Sequence, residues 1–135
     1  MRKLALALLA LAASLPASAG EIVFLYLGAP DCPYCAHWET QVRPGFLASP
    51  EAKSVRYVEV QGETLRRPIE ARHYPQEFRW IYDQIGASRG VPRFVIAVDG
   101  KVTHSAYGTG AYRSVIEPAL RDAVAKKVAI GGGTQ

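Results

Sequence analysis

Cys32 and Cys35 stand three positions apart, with Pro33 and Tyr34 between them, and the chain has no other cysteine. That spacing puts two sulfurs on one turn, where they can form a disulfide or exchange it with another molecule. The attacking species in such exchange is a thiolate. A cysteine at the first turn of a helix yields one readily, because unpaired N–H groups and the helix dipole favour negative charge there. Cys32 is therefore the candidate nucleophile. Cys35, one turn further in, is the candidate resolving residue, which attacks Cys32 and releases the reduced partner. Pro33 stiffens the turn and Tyr34 offers apolar contact area to a substrate.

Blander uses of a cysteine pair stand beside this one. A purely structural bridge across four residues restrains little of the unfolded chain, about 2 kcal/mol by loop entropy. Haem attachment needs histidine directly after the second cysteine, and here Ala36 comes before His37. Structural zinc wants four ligands, while only His37, His73 and His104, widely spaced, accompany the pair. Soft thiolates also suit Cu(I), although the single methionine is Met1. The expectation is a redox-active Cys32–Cys35 disulfide with no metal and no other cofactor. A metallochaperone or a non-catalytic docking module is the alternative class.

The remaining sequence has to position these sulfurs. The chain has 135 residues, 49% hydrophobic and 21% charged, enough for one compact domain with a packed core and too apolar for disorder. Arg2 and Lys3 precede an apolar run from Leu4 to Leu15, followed by Ala17-Ser18-Ala19. This is the pattern of a secretory signal peptide over residues 1–19, too short to span a bilayer. A domain over 20–130 and a flexible tail over 131–135 follow. Loss of Arg2 and Lys3 lowers the net charge from +4 to +2, so a pI near 9.2 says little, and nucleic acid is not an expected partner.

Glu21–Leu27 is a continuous apolar run ending at Gly28-Ala29-Pro30, as in a strand buried on both faces. A helix is expected over Asp31–Arg43, with Pro33 in its first turn and Pro44-Gly45 as its stop. Val55–Val60 alternates and predicts a second strand. Phe78, Ile81, Tyr82 and Ile85 mark an amphipathic helix over Pro75–Ala87. Arg93–Val98 and Lys101–Tyr107 predict a hairpin turning at Asp99-Gly100. Ser114 and Glu117 suggest a capping box for a last helix whose buried stripe is Ile116, Leu120, Ala123 and Val124. The order β-α-β-α-β-β-α implies an α/β domain with a mixed four-stranded sheet flanked by helices. Residues 61–74 fit no element and are expected to form a surface excursion. Arg66, Arg67, Arg72, Arg79, Arg89 and Arg93 are interleaved with Glu63, Glu70, Glu77 and Asp83, which predicts a solvated, internally compensated face.

With Cys32-Pro33-Tyr34-Cys35 after the first strand, this element order, and Gly90-Val91-Pro92 directly before the third strand, the chain resembles the thioredoxin-like superfamily over essentially the whole domain. The resemblance implies a thioredoxin fold and thiol–disulfide oxidoreductase activity. It also implies a cis-proline at Pro92, which with Val91 binds an extended substrate segment. The sequence departs from the pattern at Tyr26, where thioredoxins carry a buried carboxylate, so proton transfer at Cys35 falls to another group, with His37 and Glu39 as candidates. Cys-Pro-Tyr-Cys-Ala-His-Trp and the leader make it most similar to the small periplasmic thioredoxins of the SoxS type. That narrower likeness implies a periplasmic, monomeric reductant of disulfides in exported proteins, fed by a membrane electron donor. A Dsb-type oxidase or isomerase is the alternative. Trp38 fits the likeness and reads equally as a core or a groove aromatic.

Overall fold

A computed structural model describes residues 20–131. The expected leader and positions 132–135 of the expected tail lie outside the described residues. Four strands, β1 (Ile22–Gly28), β2 (Arg56–Gln61), β3 (Arg93–Val98) and β4 (Lys101–Tyr107), form one sheet in the order β2-β1-β3-β4. β1 runs parallel to β2 and antiparallel to β3, and β3 pairs antiparallel with β4, so the expected mixed sheet is present. Successive side chains of a strand point to opposite faces. The apolar run of β1 therefore feeds two cores. Ile22, Phe24 and Tyr26 pack with Trp38, Phe46, Tyr112, Ile116 and Leu120. Val23, Leu25 and Leu27 pack on the other side with Ile69, Tyr74, Phe78 and Ile81. The β3–β4 turn has Asp99 at φ 53° and Gly100 at φ 80°, the two left-handed residues that a tight hairpin requires.

The helices differ from expectation in instructive ways. The first does not stop at Pro44: α1 (Pro33–His37) runs into a π-helical turn (Trp38–Val42) and then α2 (Arg43–Leu47). A proline lacks an N–H, and its ring crowds the carbonyl four residues back. The π turn absorbs this, with the Arg43 N–H bonding to the Trp38 carbonyl five residues earlier. The last helix repeats the device. It begins with α4 (Thr109–Ala111), passes through a π turn (Tyr112–Ile116), where the Glu117 N–H bonds to the Tyr112 carbonyl, and continues past Pro118 as α5 (Glu117–Gly131). Ser114 is thus no cap. It lies inside the helical run and its hydroxyl donates to the Gly110 carbonyl at 3.1 Å.

Between β2 and β3, a 3₁₀ turn over Gln76–Phe78 leads into α3 (Arg79–Ile85), shorter than the expected 75–87. Phe78 leaves helical geometry (φ −115°, ψ 7°) as its ring enters the core, and Gly86 at φ 68° ends the helix. The 61–74 segment is not merely superficial, because Ile69 and Tyr74 are buried and Ile69 bridges Ser88 through two backbone hydrogen bonds. Apolar anchors within a polar stretch of coil hold it down. Trp38 resolves as core, fully buried and stacked on Tyr26 with ring centroids 4.4 Å apart.

Gly28 closes β1 where a Cβ would lie 2.2 Å from the Tyr26 hydroxyl and 2.7 Å from its ring. Gly28→Ala is expected to destabilise the fold by about 1–3 kcal/mol, the usual cost of overpacking. The cost should be smaller in a Tyr26→Phe background, which lacks the nearest atom. Urea unfolding of the four-member cycle measures this, and an equal cost in both backgrounds would show that the conflict lies elsewhere.

Candidate active site

β1, an inner strand, ends at Gly28, and Cys32 follows the turn with an extended backbone (φ −99°, ψ 110°) as the N-cap of α1. Pro33 at the first helical position loses nothing by lacking an N–H. The Cys35 N–H donates to Cys32 Sγ at 3.1 Å, so a helix-terminal donor is already aimed at the sulfur. Cys32 and Cys35 are disulfide-bonded, with Cα atoms 5.2 Å apart. Both are buried: Cys32 is 4% exposed and Cys35 is sealed at 0%.

The loop before β3 meets this turn from the other side. Cys32 Sγ lies 3.8 Å from the Val91 carbonyl oxygen, the Val91–Pro92 peptide bond is cis, and the buried Pro92 accepts the Gly108 N–H at 2.9 Å through its carbonyl. A groove of about 820 Å³ opens here, lined by Pro33, Tyr34, Val91 and Pro92 together with Tyr107. All four residues expected to contact substrate therefore share one groove beside the sulfurs. Tyr34 stands 72% exposed at its rim.

The two candidates for proton handling separate. His37 is exposed and joins the groove lining. Glu39 is half-buried, accepting the Tyr26 hydroxyl at 2.9 Å and the Gln61 amide at 3.2 Å. Burial, then the bond to Glu39, pushes the Tyr26 phenol far above its usual range, so the hydroxyl keeps its proton and remains a donor. Among the described residues no three His, Cys, Asp or Glu side chains gather where they could hold a metal ion.

The arginine-rich stretch divides. Arg67 and Arg72 pair with Glu63, and Arg72 also with Glu70, as a compensated surface. Arg93 departs from the expectation of a solvated face: it is buried, held by the Ser88 and Ser105 hydroxyls at 2.8 and 2.9 Å and lying 4.9 Å from the Tyr107 ring. An arginine opening an otherwise apolar strand directly after Val-Pro was the signal for this position. Asp31 also belongs to the site's surroundings. Its carboxylate accepts the Thr64 hydroxyl and the Leu65 N–H, the latter at 2.7 Å, tying the residue before Cys32 to the 61–74 segment.

No family model matches the sequence, and no curated protein matches it. Solved structures do. A thioredoxin of Malassezia sympodialis is 19% identical and covers 78% of this chain and 77% of its own, with a TM-score of 0.55. A thioredoxin of Trypanosoma brucei brucei is 23% identical over 78% of this chain and 76% of its own, at 0.50. The periplasmic thioredoxin SoxS of Paracoccus pantotrophus, in its reduced form, is 19% identical over 78% and 97%, at 0.48, too loose an overlap to choose among subfamilies. The first two likenesses, with the sheet order, establish a thioredoxin fold, and the disulfide lies at the end of its first strand.

The bonds to Thr64, first, and to Leu65 hold the Asp31 carboxyl below its ordinary value of 3.8. A carboxylate depressed in the folded state contributes stability above its unfolded pKa, and the contribution is lost as pH falls through the folded value. Asp31→Ala is expected to lower stability at neutral pH, with a gap to the parent that narrows in acid as the carboxylate takes up its proton. Denaturant unfolding at neutral and acid pH tests this; a gap that stays constant with pH would remove the carboxylate from the account.

Proposed function

We propose that the protein is a periplasmic thiol–disulfide oxidoreductase that reduces disulfides of exported proteins, with Cys32 as nucleophile and Cys35 as resolving residue. The observation that carries this reading is the Cys32 sulfur at a helix start, receiving the Cys35 N–H at 3.1 Å and facing the Val91 carbonyl at the head of an open groove. A donor aimed at that sulfur stabilises a thiolate more than a thiol, which lowers the cost of the attacking species. Tyr34, Pro33, Val91 and Pro92 hold the substrate segment against it.

The electrons balance in two exchanges. The reduced Cys32 thiolate attacks one sulfur of the partner's disulfide, forming a mixed disulfide and expelling the partner's other sulfur as a thiolate. Cys35, having passed its proton to the expelled partner thiolate, then attacks Cys32 Sγ. The Cys32–Cys35 bond forms, the mixed disulfide breaks, and the second partner sulfur leaves, so two electrons have passed to the partner. Within this cycle the Cys32–Cys35 disulfide is the product, and a membrane electron donor restores the dithiol. The leader-like residues 1–19 support the periplasmic setting.

Cys35→Ser is expected to accumulate mixed disulfides with exported partners, while Cys32→Ser accumulates none. Mass spectrometry of alkylated, non-reduced captures reads both, and equal trapping by the two variants would overturn the assignment. Direction follows from the equilibrium reduction potential against glutathione. A reductant is expected to sit near thioredoxin's roughly −270 mV, whereas a value near about −120 mV would make the protein a Dsb-type oxidant instead.

A further inference from the structure

Tyr107 ends β4 and is 52% exposed, a large aromatic residue left partly open to water. It is nevertheless fixed. On one side the Arg93 guanidinium lies 4.9 Å from the ring centroid. On another the ring closes over Gly90, where even a Cβ would come within 3.3 Å of it. Arg93 in turn is 7% exposed and held by two hydroxyls, Ser88 at 2.8 Å and Ser105 at 2.9 Å. Burying a guanidinium against hydroxyls and an aromatic face, with no carboxylate on it among the described residues, costs desolvation, and the contact fixes the ring in return. The ring borders the groove that runs from Val91 and Pro92 past Tyr34.

Among the described residues the groove is lined by no Asp, Glu, Lys or Arg, types that make up 21% of the chain, and the exposed His37 is its basic side chain. A ligand with free carboxylates meets no fixed cation there, whereas an apolar side chain meets two tyrosine faces. We propose that Tyr107, positioned by Arg93, determines specificity: with Tyr34, which lines the same groove, it selects an extended, uncharged protein segment with an aromatic or aliphatic residue beside its cystine, and disfavours small acidic disulfides. This rests on the oxidoreductase reading and names its substrate class. Tyr107 supplies the contact, and Arg93 acts through it as a positioning residue.

The test compares kcat/KM of the full mature chain on two cystine peptides of equal length, one with Phe and one with Asp beside each cysteine, with glutathione disulfide as a third substrate. The parent is expected to favour the Phe peptide about tenfold or more over both others, the scale on which an apolar pocket discriminates. Tyr107→Ala should bring the ratio close to one. Tyr107→Phe keeps the ring and should keep the ratio. Arg93→Lys keeps the charge but not the fork, and should raise KM for the Phe peptide while kcat holds, a split that a general loss of structure would not produce. A parent without preference, or a Tyr107→Ala variant that retains it, overturns the proposal. Reduction of hydroxyethyl disulfide, which needs no groove contact, reports the sulfur chemistry alone. Its absence in the parent would overturn the oxidoreductase reading, and this inference with it.

Discussion

Every residue of β1 is buried, and this one constraint organises the molecule. A strand enclosed on both faces needs a strand neighbour on each edge and helices above and below. β2 and β3 supply the edges, and the two sets of alternating side chains supply separate cores. The strand can then deliver its chain to a functional turn only at its end. Gly28 is that end, and four residues later the Cys32 sulfur receives its helix-terminal N–H. The site is therefore a consequence of where a fully buried strand must emerge.

The same core explains two features that look like faults. Prolines at positions 44 and 118 sit inside helical runs where the ordinary hydrogen-bond ladder cannot accommodate them. In each case a π turn ends two residues before the proline and carries aromatic or branched side chains inward: Trp38 in one, Tyr112 and Ile116 in the other. Trp38 and Tyr112 pack edge to face at 5.8 Å, so the two irregular turns meet in the core under β1. Tertiary packing, not propensity, keeps these helices continuous, which is the usual hierarchy for helices in folded domains.

That hierarchy also decides what could be read from the sequence. The strands were legible because their signals are local: an apolar run, an alternating run, and Asp-Gly at the hairpin. The sulfur pair and the four groove residues Pro33, Tyr34, Val91 and Pro92 were legible as types at given places in the element order. The helix bounds were not, because Pro44 and Ser114 carry strong local rules that the core overrides. Arg93 was grouped with the surface arginines since charge in a sequence reads as exposure; only the hydroxyls of Ser88 and Ser105, brought in from a loop and another strand, make a buried site for it. Tyr107 was legible as a strand residue and not as a groove wall, since its neighbour Gly90 is distant in sequence.

The segment with the weakest sequence signal turns out to brace the site. Ile69 is drawn into the lower core and pairs with Ser88, which fixes the 61–74 segment at its middle. Thr64 and Leu65 then reach Asp31, the residue before Cys32, and engage both oxygens of its carboxylate. An ionised carboxylate beside a thiolate opposes it by like-charge repulsion. Here the two donors take up the carboxylate's lone pairs and hold it on the 61–74 side, so its charge is partly offset before the sulfur meets it. The stabilisation of a Cys32 thiolate falls to the backbone, chiefly the Cys35 N–H, a donor that cannot titrate. The fixed amide at the sulfur and the ties on the neighbouring carboxylate thus come from different elements, a helix start and a loop whose own anchor, Ile69, lies buried in the core on the opposite face of the sheet.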